Sequence, residues 1–358
     1  MEKNIIIVNE LRKYFGLQEI PDNWKKIDVT SDNYQGFNVS IFVDGQTVKK
    51  CMIFGLNKFK EFQLNETLSK NFDCILPKDS NKKPSTLDSI INKSAIGLTL
   101  SFDTPNISIY NETTHKTYYT NYFDDKKVNS IVEFASWIQD WCKNSTEEDI
   151  KEINEFANET PKAPISYKEG DVFRVKLSKN LYGYGRILLD YNKMRNNNEK
   201  FWDILMGTPV VASLYHIVTD NKNISLDELK NLQSFPSETV MDKNFITGEY
   251  EIIGNIPVDF KNEDFPIMYG NSFDEVKKVC YQRGKEYHEI TNSVAISSSY
   301  KNNGIASRLG YKLDLMKKCI ETKSNKLIFE SGPLNFRNDL RNPKNQEILK
   351  QIQSQFDI

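Results

Sequence analysis

Histidine is scarce in this chain. Its 358 residues hold three, His115, His216 and His288, and none stands in an H-x-H, H-E-x-x-H or H-x-x-E-H spacing. A hydrolase with one or two catalytic metals needs a cluster of histidine and carboxylate ligands, so no metal site is expected. His216 lies inside an apolar run and reads as a hydrogen-bonded core residue. His288 has a nucleophilic partner only if the fold brings a cysteine such as Cys280 to it. There is no G-x-S-x-G elbow and no phosphate-cradling G-x-x-x-x-G-K-S/T loop. Gly183-Tyr184-Gly185 is a G-x-G without the third glycine or a following helix. Catalytic residues and cofactors are therefore not expected. No apolar run approaches the roughly 20 residues of a membrane-spanning helix, and the opening MEKNIIIVNELRKYF turns to charges and amides too soon for an export signal. The five cysteines, Cys51, Cys74, Cys142, Cys280 and Cys319, are odd in number with no close pair. They read as reduced thiols, which places the protein in the cytoplasm with no membrane partner.

What is present fits an ordinary water-soluble globular protein: formal charge −2, 39% hydrophobic and 27% charged residues. The length allows two domains with real cores. Residues 291–358 carry 11 Lys/Arg against 6 Asp/Glu. That excess is modest and reads as a solvated face, so nucleic acid is not the expected partner.

The fold class expected is α+β and β-rich, in three parts: an α+β domain over 1–160, a small antiparallel β-sheet or barrel domain over 161–290, and a basic, partly helical appendage over 291–358. In the first part, Phe37, Val39, Ile41 and Val43 alternate as a half-buried strand does, and Asp44-Gly45 favours a hairpin into 47–54. Further strands are expected at 24–29, 96–102 and 107–110. Ile131, Phe134, Ala135, Ile138, Trp141 and Cys142 then switch to helical spacing, and a second helix over about 146–158 is capped by Ser145 or Thr146. Thr160-Pro161-Lys162-Ala163-Pro164 reads as a linker. In the second part, strands are expected over 172–177, 182–189, 209–218 and 248–258, the last ending where Pro257 cannot donate. In the third, Leu309, Leu313, Met316 and Ile320 suggest a helix around 305–321, Ser331-Gly332-Pro333 and Asn342-Pro343 interrupt order, and 346–356 can form a short helix.

The strings YKEGDVFRVKLSKNLYGYGRIL at 167–188 and GEYEIIGNIPV at 248–258, separated by a Pro-Val strand, resemble the Imm26 family of immunity proteins from polymorphic toxin systems. The resemblance covers about residues 165–290. It departs from the family where a tryptophan often follows the second turn and this chain has Tyr250. It implies a protein that binds and neutralises a cognate bacterial toxin. The family label is shared with a phosphotriesterase name, so a phosphoester hydrolase is the enzymatic alternative, beside a phage-defence binding module. Tight inhibition draws on aromatic anchors and complementary charge. Candidate toxin-binding residues are Tyr167, Tyr182 and Tyr184, with an acidic set of Glu238, Asp242, Glu249, Glu251, Asp259, Glu263 and Asp264. Such a set could cover the basic cleft of a nuclease toxin.

Overall fold

The strand alternation of the first 120 residues is realised as one antiparallel sheet. A computed structural model describes residues 7–29, 37–78, 81, 83–87, 89, 95–202, 209–272, 277–300, 304–332 and 334–358. The expectations for residues 1–6, Gly36, 203–208 and Pro333 lie outside these. The chain divides into two compact units, Met1–Ala163 and Pro164–Ile358.

In the first unit, strands β1 (Lys25–Val29), β2 (Asn38–Asp44), β3 (Thr47–Gly55), β4 (Lys58–Leu68), β5 (Cys74–Leu76), β6 (Ser85–Thr86), β7 (Ile96–Asp103), β8 (Asn106–Asn111) and β9 (Lys116–Thr120) form the sheet. Its order is β1-β2-β3-β4-β7-β8-β9, with β5 on β4 and β6 on β5. Gly45, at φ +60°, makes the tight turn from β2 to β3. Helix α1 (Asn9–Arg12) precedes the sheet, and α2 (Ile131–Lys143) and α3 (Glu147–Ala157) follow it. The Ser130 hydroxyl accepts from the Glu133 amide (3.2 Å), and Thr146 and Asp149 form a reciprocal capping box. Phe134, Ile138 and Trp141 of α2 bury against Phe59, Leu100, Phe102 and Ile109 of the sheet.

One polar group interrupts this apolar interior. Arg12 Nη1 and Lys50 Nζ both donate to Glu61 Oε1, at 2.5 and 2.7 Å, and to the Gln18 carbonyl, at 3.1 and 2.8 Å. All three side chains are fully buried. Burial lowers the pKa of Lys50, with Glu61 opposing.

In the second unit, β10 (Asp171–Ser178), β11 (Leu181–Asp190), β12 (Pro209–Leu214), β13 (Glu238–Met241) and β14 (Glu251–Asn255) form an antiparallel sheet ordered β13-β12-β11-β10-β14. A second sheet joins β15 (Ile267–Asn271), β16 (Lys278–Arg283) and β17 (Glu286–Thr291). Short helices α4 (Tyr191–Asn196), α5 (Leu226–Lys230) and α6 (Lys243–Ile246) lie in the connections, and α7 (Leu313–Thr322), α8 (Lys326–Ser331), α9 (Leu334–Arg337) and α10 (Gln346–Gln355) close the chain. Ile352 and Phe356, at the end of the chain, pack with Tyr269, Val279 and Tyr281 of the second sheet. The helix expected from 305 starts at Leu313. Gly310, at φ +110°, is incompatible with a helical turn, and Ala306 instead bridges Val240 of β13. The molecule is thus α+β and β-rich.

Candidate partner-binding site

Tyr182 and Tyr184 stand two apart on β11 and therefore share a face. That face is the core: both are buried with Val172, Tyr215 and Leu229. The Tyr184 hydroxyl donates to the Asn221 carbonyl (2.7 Å), and the Tyr182 ring lies 5.5 Å from both the Arg174 guanidinium and the Lys222 ammonium. Gly183 and Gly185, which alternate with the two tyrosines, lie on the opposite face. A Cβ on Gly185 would sit 2.3 Å from the Ser213 carbonyl oxygen and 2.5 Å from the Phe173 ring, so only glycine lets β12 and Phe173 approach this closely. Tyr167 is half-buried, 5.8 Å from the Phe245 ring, and donates to Asp242 Oδ2 (3.1 Å). Tyr250 is buried, stacked on Phe173 at 5.4 Å and edge-on to Phe245 at 5.2 Å, and its hydroxyl accepts from the Leu309 amide (3.0 Å). An aromatic ring thus fills this core position, with its hydroxyl hydrogen-bonded.

The seven carboxylates do not form one bare acidic face. Glu249 pairs with Arg308, Glu251 with Arg174, Glu263 with Arg186, and Asp264 with Arg341 at 2.7 Å. Asp242 is buried against Tyr167, and Glu238 is partly buried on β13. Glu251, Asp259 and Asp264 stay exposed. Asp259 accepts from the Lys261 amide (3.1 Å) and from Asn262 Nδ2 (2.7 Å), which holds its pKa below the usual value.

Two polar networks organise the rest. Arg341 Nη2 donates to Asp339 Oδ2 (2.7 Å) and the Ser237 carbonyl (3.1 Å), while Nη1 donates to Asp264 Oδ2 and to Ser237 Oγ (3.2 Å). Asp264 Oδ2 also accepts from the Ser237 amide (3.1 Å), and Tyr311 donates to the Pro236 carbonyl (3.2 Å). Beside this network, burial pushes the Glu238 carboxyl up to about 7. The Gly310 amide, Arg341 and Tyr311 oppose the rise, and Asp339 adds to it. In the second network, burial raises the pKa of Asp190 against hydrogen bonds from the Lys193 and Asn192 amides, and the charges of Glu169 and Asp242 push it further. Glu169 in turn meets Lys193 at 3.2 Å and Lys285 at 3.7 Å. The roles of Asp190, Asp339 and Arg341 were not read from the sequence, because each depends on partners that only the fold brings together.

The three histidines are dispersed. His216 is a core residue: Nε2 meets Asn325 Oδ1 at 2.8 Å, the ring lies 4.4 Å from that of Phe235, and burial lowers its pKa. His115 is exposed in a turn, with Nδ1 3.3 Å from the Tyr110 hydroxyl. His288 meets Glu286 at 3.0 Å and does not pair with Cys280. In the β16–β17 register Cys280 faces Glu289 and Tyr281 faces His288, and neighbouring positions point to opposite sides of the sheet. Cys280 Sγ lies instead 3.5 Å from the Tyr287 hydroxyl. Among the described residues no group of three or more His, Cys, Asp or Glu side chains is placed to hold a metal ion, and no helix is long and apolar enough to cross a membrane.

No curated protein and no solved structure matches the chain. One family model does, and it begins just before β10, spans the whole five-stranded sheet and ends inside β16. Residues 168–279 match Imm26, immunity protein 26.

Proposed function

We propose that this protein is an immunity protein that binds one cognate toxin of a bacterial polymorphic toxin system in the cytoplasm and neutralises it at one-to-one stoichiometry, without turnover. The observation that carries this reading is the Imm26 match across the sheet β10–β14. The geometry supports it in two ways. Four arginines tie carboxylates far apart in sequence into the second unit, which gives a preformed surface whose ordering costs little on binding. Glu251, Asp259 and Asp264 remain exposed on it and suit a basic target such as the substrate cleft of a nuclease. In this reading they form the charged rim. Glu238, Asp242, Glu249 and Glu263 frame the surface, Tyr182 and Tyr184 support it from the core, and Tyr167 lies at its half-buried edge.

The test is capture of the products of adjacent genes by purified protein, followed by titration of any captured toxin's activity. Loss of activity at one equivalent, insensitive to chelator, supports the proposal. No capture, together with chelator-sensitive turnover of a phosphotriester, overturns it in favour of a hydrolase. Rim neutralisation by E251Q and D259N should slow association and weaken its salt dependence, because rim charges act mainly on encounter.

A further inference from the structure

Residues beyond the family match build a cleft of about 530 Å³ between α8 and the turn that leads into α10. Its volume lies within the range of about 300–1,000 Å³ usual for small-ligand sites. It has room for one large side chain and its neighbours but none for a folded domain. The walls carry Asn325, Lys326, Phe329, Arg341, Pro343 and Lys344.

The cleft is rigidly built. Asn325 is fastened on both ends, with Oδ1 on His216 Nε2 (2.8 Å) and Nδ2 donating to the Ser234 carbonyl (2.9 Å). Arg341 is held by Asp264, Asp339 and Ser237. Phe329 begins a chain of rings that runs through Phe336 (6.0 Å), Tyr311 (5.5 Å) and Phe235 (5.7 Å) to His216 (4.4 Å). Both walls are therefore braced against the sheet that matches Imm26, and little ordering remains to be done on binding.

Its chemistry is amphipathic. Phe329, half-buried, and Pro343, exposed, supply an apolar floor, while Lys326 and Lys344 are exposed at the rim. Arg341 spends its charge on Asp264 and Asp339. The carboxylate in the lining, Glu330, lies 3.9 Å from Lys326, at the outer limit of an ion pair, with the lysine 73% exposed. Such a pair holds its lysine weakly. Lys344 forms no ion pair among the described residues, and the side chains that line the cleft, Lys326, Arg341 and Lys344 against Glu330, carry a positive balance over an apolar base.

We propose that this cleft binds a short acidic peptide segment, with one apolar side chain seated on Phe329 and Pro343 and its flanking carboxylates paired with Lys326 and Lys344. The proposal is independent of the immunity reading, since the binding is measured without any toxin.

The experiment is fluorescence anisotropy with full-length protein and a labelled Glu-Glu-Leu-Phe-Glu-Glu peptide. Its controls are a Gln-for-Glu version, a version with Ala-Ser replacing Leu-Phe, and a ten-nucleotide single-stranded DNA. Saturable binding is expected, weakened at least tenfold by K326E/K344E and by either peptide change, and unaltered by K350E, a charge reversal at an exposed lysine of α10 outside the cleft. Both lysines are exposed, so the double variant folds, which circular dichroism checks. No saturable binding, equal weakening by K350E, or tighter binding of the DNA than of the acidic peptide would each overturn the proposal.

Discussion

Replacing Glu238 by glutamine should stabilise the protein at pH 8 and change it by less than about 1 kcal/mol at pH 5. Burial raises this carboxyl from its ordinary value of 4.5 to about 7, against the Gly310 amide, Arg341 and Tyr311. The native state therefore binds the proton more tightly than the unfolded chain does. The stability linked to this group is fully present below pH 4.5 and is lost as the pH rises through about 7. Between those two values each pH unit costs about 1.4 kcal/mol, so the ionised carboxylate costs the fold about 3 kcal/mol by pH 8. Glutamine keeps an acceptor for the Gly310 amide and cannot ionise, while Arg341 retains Asp264 and Asp339. The assay is urea unfolding of both proteins at pH 5, 6, 7 and 8, followed by far-UV circular dichroism. Asp190, whose pKa is also raised by burial, titrates in both proteins and cancels in the difference. A difference that stays flat across the series, or a glutamine variant less stable at pH 8, would refute the argument that burial outweighs Arg341 at this position.

Three further perturbations have defined outcomes. R341A leaves the buried Asp339 without its guanidinium and should cost about 3–5 kcal/mol in urea unfolding; R341K, which keeps the charge but not the fork, should fall between it and the wild type. G185A forces a methyl group onto the Ser213 carbonyl and the Phe173 ring and should cost at least about 1–3 kcal/mol, seen as a lowered Tm; an unchanged Tm would mean that the sheet gives way without strain. E61A strands the buried Arg12 and Lys50 together and should destabilise the first unit by about 3–5 kcal/mol, seen as faster proteolysis within residues 7–163 while the second unit keeps its wild-type rate.

Local pattern carried much of the fold. Helical spacing from Ile131 appears as α2, the Thr146 cap as the start of α3, the alternation after Gly170 as β10, and 346–356 as α10. Strand β4 was not legible. Phe59 and Glu61 follow one phase and Phe62 and Leu64 the other, because an irregularity in the pairing with β7 falls between Glu61 and Gln63. A buried glutamate on an apolar face further masks the pattern. The candidate site was legible only as a set of residue types. The arginine that holds Glu251 lies 77 positions away, as do those that hold Glu263 and Asp264, and the one that holds Glu249 lies 59 away. No periodicity reports which distant cation neutralises which acid, so a surface that reads as bare charge in the sequence is largely paired in the fold.

The Tyr250 hydroxyl takes its proton donor from Leu309, thirty residues past the end of the Imm26 match. Glu249, His216 and Asp264 likewise have partners at Arg308, Asn325 and Arg341. The stretch that matches Imm26 is therefore shorter than the stretch that holds its side chains in place. Were this sheet transplanted into another chain without residues 305–345, Tyr250, Glu249, His216 and Asp264 would each arrive one partner short.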